Sequence, residues 1–243
     1  MPTCLPVFLV RLAAFAVALA APLHAQIVLS GTYTGQTLND SVVVNPSTIA
    51  TFTGGTTFTG PTATLGSSAQ LRWQQTGTLA GKSITLGASA LLHLSGVNST
   101  LTLDGATTVT GHADIYSDSS AGTSLTNQGS ISHTAAGTGT LYARTFTNSG
   151  TVTVSSSTLQ VGSTTAGYNT LNTGTMTATG SGSILHLDGN VDNNGTLAAT
   201  NSGQIRFRGN NTTANLGNIV LSGGGRALLN GTLDNSAATL TPP

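Results

Sequence analysis

A short pattern, Asn-x-Gly-x-apolar, recurs along the C-terminal half of the chain at nearly constant spacing. Its five copies contain Asn127 and Gly129, Asn148 and Gly150, Asn172 and Gly174, Asn193 and Gly195, and Asn215 and Gly217. Successive asparagines lie about 22 residues apart, a period in the range of repeat architectures. Such a period indicates that each unit stacks on the next, because one repeat holds too few apolar residues to bury a core alone.

Between these copies lie short segments in which apolar residues alternate with polar ones. They are Leu141-Tyr142-Ala143, Leu159-Gln160-Val161, Leu185-His186-Leu187 and Ile205-Arg206-Phe207. Alternation with a period of two, punctuated by Gly, Asn and Asp, predicts strands of three to five residues, and no helical stripe is visible outside the N-terminal segment.

These features predict an all-β solenoid of about ten coils with repeats of 20–24 residues, its strands pairing in parallel from coil to coil. In this arrangement the recurrent Asn tolerates a turn conformation and bonds the equivalent Asn of the next coil through its amide. The Gly two residues later provides a positive φ or a close backbone approach. We assign residues 26–243 to this domain, with 26–50 as an N-terminal cap and 120–240 as the clearest repeats.

Residues 1–25 have the composition of a secretory signal. Arg11 precedes an apolar run of ten residues, which is too short to cross a hydrocarbon core, and cleavage is predicted between Ala25 and Gln26. A membrane anchor is the alternative for this segment. No later segment is apolar enough to span a membrane, and the single cysteine, Cys4, lies inside the signal, so disulfides and thiolate metal sites are not expected.

Charged residues are unusually few. The chain has 7 Lys and Arg against 7 acidic residues, all of them Asp, and only 6% of its residues are charged. This composition offers no basic footprint for nucleic acid and no polybasic patch for anionic lipid. Nucleic-acid partners are therefore not expected.

Copies such as Phe146-Thr-Asn148-Ser-Gly150-Thr-Val152 resemble the repeats of autotransporter-type β-helical passenger domains and related bacterial adhesins. The resemblance covers about residues 120–240. It implies a right-handed parallel β-helix, exported through the Sec route and displayed at the outer surface of a Gram-negative-type bacterium. It further implies a structural or adhesive role, with a glycan or a host or matrix protein as partner, in a chain that is monomeric or part of a longer one.

A β-helix could instead be a polysaccharide lyase or hydrolase, which needs clustered carboxylates for acid–base chemistry. The densest group of charged residues is Asp188, Asp192, Arg206 and Arg208, with His186 nearby. No Glu completes a carboxylate pair, and Asp188 is interpreted as a turn residue equivalent to Asp104. We therefore predict no catalytic residue.

The remaining histidines show no spacing that is typical of a metal site. They are interpreted as surface residues: His93, His112 and His133. No metal and no cofactor is predicted.

One surface hypothesis concerns the outward residues of the alternating segments. If these segments stack in register, Tyr142, Gln160, His186 and Arg206 form a ladder with a spacing of about 5 Å. Such a ladder is suited to a glycan or an extended peptide, with a plain solvated face as the alternative.

Overall fold

The computed structural model describes residues 25–118 and 122–236. The proposed signal segment, residues 1–24, lies outside this part, and Gln26 is the first residue of the first strand. The described residues form thirty strands, numbered in chain order, and one short helix, α1 (Thr213–Leu216). No helix among them is long and apolar enough to cross a membrane.

Every coil contributes three strands: one to sheet 1, one to sheet 2 and one to a third face, which sheet 3 forms in the six central coils. The chain therefore passes through sheets 1, 2 and 3 in turn and returns to sheet 1 one coil further on. Sheet 1 has ten strands: β1 (Gln26–Leu29), β4 (Ser41–Val44), β7 (Thr62–Leu65), β10 (Ser83–Leu86), β13 (Thr108–Gly111), β16 (Ser130–His133), β19 (Thr151–Ser155), β22 (Thr175–Thr179), β25 (Thr196–Thr200) and β28 (Asn218–Leu221).

Sheet 2 also has ten strands and follows sheet 1 in every coil. Its strands are β2 (Gly31–Thr34), β5 (Ile49–Thr53), β8 (Gln70–Gln74), β11 (Leu91–Leu94), β14 (Asp114–Ser117), β17 (Thr138–Tyr142), β20 (Thr158–Gly162), β23 (Ile184–Asp188), β26 (Gln204–Arg208) and β29 (Arg226–Leu229).

Sheet 3 completes each coil. Its six central strands are β9 (Thr76–Leu79), β12 (Thr100–Leu103), β15 (Ser124–Asn127), β18 (Thr145–Asn148), β21 (Asn169–Asn172) and β24 (Asn190–Asn193). Two separate pairs occupy the same place in the terminal coils: β3 (Thr37–Leu38) with β6 (Thr57–Phe58), and β27 (Asn210–Thr212) with β30 (Thr232–Asp234).

The β-solenoid of about ten coils is confirmed. Most coils have the expected length, as where Ser83 pairs with Thr62 of the preceding coil. Two fall outside the predicted range: the first coil, from Gln26 to Ser41, is much shorter, and the fourth, from Ser83 to Thr108, is slightly longer. Residues 26–50 form the first coil, β4 and the start of β5; of these strands, β1, β2, β4 and β5 join sheets 1 and 2, and β3 belongs to the separate pair with β6.

Alternate residues of the strands point into a core that runs through the solenoid from Leu29 to Leu216. The largest of these side chains are Trp73, Phe52, Phe146 and Phe207, each at most 1% exposed. The outward positions of sheet 1 are different in kind, because six consecutive strands carry a hydroxyl at both of them. These residues are Thr62, Thr64, Ser83, Thr85, Thr108, Thr110, Ser130, Ser132, Thr151, Thr153, Thr175 and Thr177.

The repeated asparagines form a buried amide ladder at the end of the sheet 3 strands. Nδ2 of Asn127 donates to Oδ1 of Asn148 at 2.7 Å, and the same bond joins Asn148 to Asn172 and Asn172 to Asn193. None of the four has a positive φ. The asparagines are therefore interior strand residues, and the expected amide bonding is confirmed while the turn conformation is not adopted.

The repeated glycines are required by close backbone approach. A Cβ on Gly150 would lie 2.1 Å from the carbonyl oxygen of Gly129, and Gly174 and Gly195 are placed alike against the preceding coil. Their φ angles lie outside the left-handed region. At these positions close approach is the expected role that is observed, whereas Gly217 also has a positive φ, +57°.

Asn215 departs from the predicted repeat. It lies in α1, where its backbone N–H is capped by the Thr212 hydroxyl. Because the chain makes this helical turn, Asn193 donates instead to the carbonyl oxygen of Leu216, at 2.8 Å. The inclusion of Asn215 in the ladder is therefore wrong, although Gly217 still makes a close approach, to the backbone of Asn193.

Candidate functional site

The outer face of sheet 2 is chemically distinct from the other two faces. Its outward positions carry aromatic, imidazole and charged side chains, among them Arg72, His93, Tyr116, His186 and Arg206. The corresponding positions of sheet 1 carry mainly Thr and Ser. Side chains that can discriminate a ligand are thus concentrated on one face.

The structure places three of the four predicted ladder residues together. Gln160 pairs with His186, and His186 pairs with Arg206, on adjacent strands of sheet 2. Tyr142 does not belong to this row, because its place next to Gln160 is taken by Thr140. The prediction for Tyr142 is wrong by two residues, a shift that keeps a side chain on the same face and that alternation alone cannot detect.

Tyr142 belongs instead to an aromatic row with His93, Tyr116 and Tyr168. Tyr116 and Tyr142 are in register, and their rings stack with centroids 5.2 Å apart and planes 10° apart. His93 lies 5.5 Å from Tyr116 at one end, and Tyr168 lies 4.5 Å from Tyr142 at the other. Tyr116 and Tyr142 cover one another's ring faces, and Tyr116 is the most exposed ring of the row.

The far end of the aromatic row fixes a loop, residues 163–168. The Ser163 hydroxyl donates to the hydroxyl oxygen of Tyr142 at 3.3 Å, and the guanidinium of Arg144 lies 5.1 Å from the centre of the Tyr168 ring. Arg144 also donates to the carbonyl oxygen of Ala166 at 3.3 Å. Burial and the hydrogen bond with Tyr142 raise the pKa of Tyr168 to about 12, so its hydroxyl is protonated at neutral pH.

This loop overhangs a groove at the corner between sheets 2 and 3. The next two coils turn the same corner with one residue each, Gly189 and Gly209, whereas this coil uses six. The difference leaves a concavity of about 580 Å³, here called the corner groove, lined by residues 163–169, 189–190 and 209–210. Its volume lies within the range of small-molecule sites.

Amide side chains border the corner groove. Asn169 and Asn190 are neighbours in register, and Nδ2 of Asn190 donates to Oδ1 of Asn169 at 2.8 Å. Asn210 accepts a hydrogen bond from the Thr232 hydroxyl at 2.7 Å. No charged side chain is among the lining residues.

Sequence reasoning missed this groove, although a signal was present. The interval from Asn148 to Asn172 is longer, by three positions, than the interval before it or the interval from Asn172 to Asn193. In repeat proteins such insertions map to loops on one face. Here the longer repeat is the one that carries residues 163–168.

The acidic group considered for catalysis is divided between faces. Asp188 is 2% exposed and forms a bidentate ion pair with Arg208, with both N–O distances 2.6 Å. Asp192 lies on β24 of sheet 3. Asp188 is therefore a buried strand residue of sheet 2, and its interpretation as a turn equivalent of Asp104, which follows β12 of sheet 3, is wrong.

Two of the histidines interpreted as surface residues are buried. His112 is 7% exposed and His133 is fully buried, and their rings meet edge to face with centroids 5.3 Å apart. The backbone N–H of Ala113 donates to Nδ1 of His133 at 3.0 Å, so the proton of the neutral ring is on Nε2, which faces the carbonyl oxygen of Gly137 at 3.2 Å. Within the described ranges no group of three metal-ligating side chains occurs.

His93 and His186 lie on the outer face, as expected, but are half-buried among their neighbours in the rows. Burial lowers the pKa of both imidazoles, and the nearby positive charge of Arg208 lowers that of His186 further. Both rings are therefore neutral at pH 7, and both ring nitrogens of His93 and Nε2 of His186 are buried without a hydrogen-bond partner among the described residues.

The sheet 2 face thus combines a row of polar side chains, a row of stacked aromatic rings and a groove bordered by amides. It can offer hydrogen bonds and planar edges to a ligand at regular intervals along the solenoid. A comparison of the chain with protein-family models, curated protein sequences and solved structures gives no significant match.

Proposed function

We propose that this chain is an exported structural module whose sheet 2 face is adhesive. The observation that carries the proposal is the asymmetry of the solenoid. The outward positions of sheet 1 present mainly hydroxyls, whereas sheet 2 presents aromatic, imidazole, amide and guanidinium groups in rows. Rows of this kind suit a long ligand that contacts several coils, such as a glycan or an extended segment of a host or matrix protein.

Export is supported by the composition of residues 1–25 and by the start of β1 at Gln26, the residue that follows the proposed cleavage site. Expression of the full chain in a Gram-negative host should yield a processed protein outside the cytoplasm whose N-terminal residue is Gln26. Retention of an unprocessed chain in the cytoplasm would contradict export and surface display.

Adhesion can be tested with variants of the two faces. A triple variant with Gln160→Ala, His186→Ala and Arg206→Ala should lose at least about tenfold in binding to immobilised glycans or matrix proteins, because each deleted hydrogen bond is worth about 1 kcal/mol. The matched control replaces Thr85, Thr110 and Thr153 of sheet 1 by Ala. Equal binding by both triple variants would contradict an adhesive sheet 2 face.

A polysaccharide-active enzyme is the alternative function. Its candidate acid Asp188 is engaged by Arg208, and Asp192 lies on another sheet, which supports the non-catalytic proposal. We expect no release of reducing or unsaturated sugars from polysaccharides incubated with the protein. Sustained release that is lost in Asp188→Asn would favour the enzyme.

A further inference from the structure

We propose that the corner groove binds a neutral saccharide unit. The inference rests on the adhesive function proposed above and gives it a specific site and ligand class. It does not depend on the row of Gln160, His186 and Arg206, which lies on the strands of sheet 2 and not among the groove residues.

The shape of the groove follows from its glycines. Gly189 has φ +77° and Gly209 has φ +126°, and a Cβ on either would collide with backbone of the preceding coil. Glycine is therefore required at both corners. The side of the groove that these two residues form consists of backbone without side chains, and it lies next to the overhanging loop. The concavity is thus a consequence of coil stacking, and it is formed before any ligand arrives.

The loop that completes the groove, residues 163–168, is anchored by contacts with Tyr142 and Arg144. Tyr168 is 5% exposed and packs between Tyr142 and Arg144, while Ser163 bonds both the Tyr142 hydroxyl and the backbone N–H of Thr165. A loop anchored in this way loses little conformational freedom on binding, which favours recognition of a small ligand.

The chemistry of the groove indicates the ligand class. Amides carry both donors and acceptors, and hydroxyls carry one donor and two acceptors, so Asn169, Asn190, Asn210 and the Thr residues of the loop match the mixed hydroxyl pattern of a sugar. No lining residue is charged, and the nearby Asp188 and Arg208 neutralise each other. An anionic sugar would find no cation among the lining residues, and the adjacent Arg144 is engaged by the Tyr168 ring and the carbonyl oxygen of Ala166, so a neutral saccharide is the better fit.

The ring faces of the nearby tyrosines are covered, so binding relies on hydrogen bonds and is expected to be weak. NMR titration of the ¹⁵N-labelled protein is suited to this regime. The probes are cellohexaose, maltohexaose, chitohexaose and mannohexaose as neutral oligosaccharides, with oligogalacturonate as the acidic counterpart.

At least one neutral probe should shift the amides of residues 163–169, 189–190 and 209–210. Asn190→Ala should weaken the binding of that probe about tenfold, because it removes the central amide of the groove border. Asn218→Ala is the matched control, since Asn218 is also an exposed asparagine bonded one coil back, to Thr196, but on sheet 1. This variant should bind as the unchanged protein does.

Three results would overturn the proposal. One is the absence of groove shifts with every neutral probe, and a second is a response to oligogalacturonate alone. The third is a neutral probe whose shifts lie along Gln160, His186 and Arg206 and whose affinity is unchanged in Asn190→Ala. This third result would contradict saccharide binding in the corner groove but would still agree with an adhesive sheet 2 face. The experiment therefore distinguishes the two proposals.

Discussion

His133 occupies an interior position where its neighbours in register, Gly111 and Val154, carry no polar group. The imidazole fits because Gly111 has no side chain and because both ring nitrogens have backbone partners. A protonated ring would turn Nδ1 into a donor facing the N–H of Ala113, which is also a donor. Burial lowers the pKa of His133 from its ordinary value of 6.5, because it removes water from the charged imidazolium, and the nearby His112 adds to the effect.

The stability of the solenoid should therefore fall in mild acid. The folded state holds His133 neutral below pH 6.5, where the unfolded chain takes up a proton, so the unfolded state binds more protons and the free energy of unfolding decreases as the pH falls. The lowered pKa values of His93 and His186 act in the same direction. The hydrogen bond to the carbonyl oxygen of Gly137 and the charge of Asp114 oppose the lowering of the His133 pKa only in part.

Urea unfolding between about pH 7.5 and pH 5.5 measures this loss. His133→Val should be less stable at the upper pH by roughly 2 kcal/mol, because Ala113 and Gly137 lose their partner, but should show a shallower pH dependence. The control is His93→Gln, which removes a half-buried histidine of the outer face and should keep most of the slope. Equal slopes in the wild type and His133→Val would contradict the assignment.

At the scale of elements, the amide ladder explains why the sequence pattern begins where it does. The inward position at the end of each sheet 3 strand is Leu79 in β9, Leu103 in β12 and Asn127 in β15. Leucine satisfies this position by apolar packing, whereas asparagine satisfies it by bonding the next coil. Both are buried, so the coils continue unchanged while the motif visible in the sequence disappears before Asn127.

Asn148 lies inside the ladder, with an asparagine on each side. It accepts from Asn127, donates to Asn172 at 2.7 Å and lies within 3.4 Å of two backbone carbonyl oxygens. Asn148→Ala should destabilise the fold by about 3 kcal/mol, because it removes two amide bonds and leaves buried polar groups without partners. Asn215→Ala changes the same residue type outside the ladder and should cost less than about 0.5 kcal/mol. Thermal or urea unfolding of the two variants compares them, and equal losses would show that the ladder adds nothing to stability.

The sequence predicted those parts of the fold that repeat. Solenoid architecture, coil number, inward apolar residues and amide bonding all follow from spacing and alternation. Features that depend on a single coil were not predicted: the two-residue shift of Tyr142, the helical turn at Asn215 and the burial of His133. The first two are decided by how many residues one coil places at a corner, which local composition does not show. His133 is inward because it follows Ile131 by two positions on β16, and its polar side chain concealed this.

The candidate site likewise has one part that the sequence periodicity predicts and one part that it does not. Gln160, His186 and Arg206 come together because their alternating segments share a register, which periodicity can indicate. The corner groove arises from one six-residue corner beside two one-residue corners, so only the length of a repeat could reveal it. Asn169 and Asn190 border the groove through stacking across coils, and no local pattern marks them.

At the scale of the whole molecule, the solenoid is a one-dimensional stack in which each coil is stabilised mainly by its neighbours. The inner coils have neighbours on both sides, and their strands show full alternation of buried residues, as in β16 and β17. The last coil is different: no residue of β28, β29 or β30 is fully buried, and Val220 and Leu229 are 43% and 44% exposed. The first coil resembles it, with Leu29 as its single buried strand residue.

Amide hydrogen exchange should therefore proceed from the two ends of the described solenoid toward its middle. Local opening of a coil with few buried contacts costs less free energy than opening a coil held on both sides, so amides of β1–β3 and β28–β30 should exchange at least roughly tenfold faster than those of β16–β18. Exchange followed by mass spectrometry on the full chain at two protein concentrations provides the measurement. Association of copies through their end coils would appear as slower exchange at the higher concentration, confined to those strands. Uniform protection along the chain at both concentrations would contradict a stack of nearest-neighbour coils, since among the described residues the first and last coils each pair with one neighbouring coil.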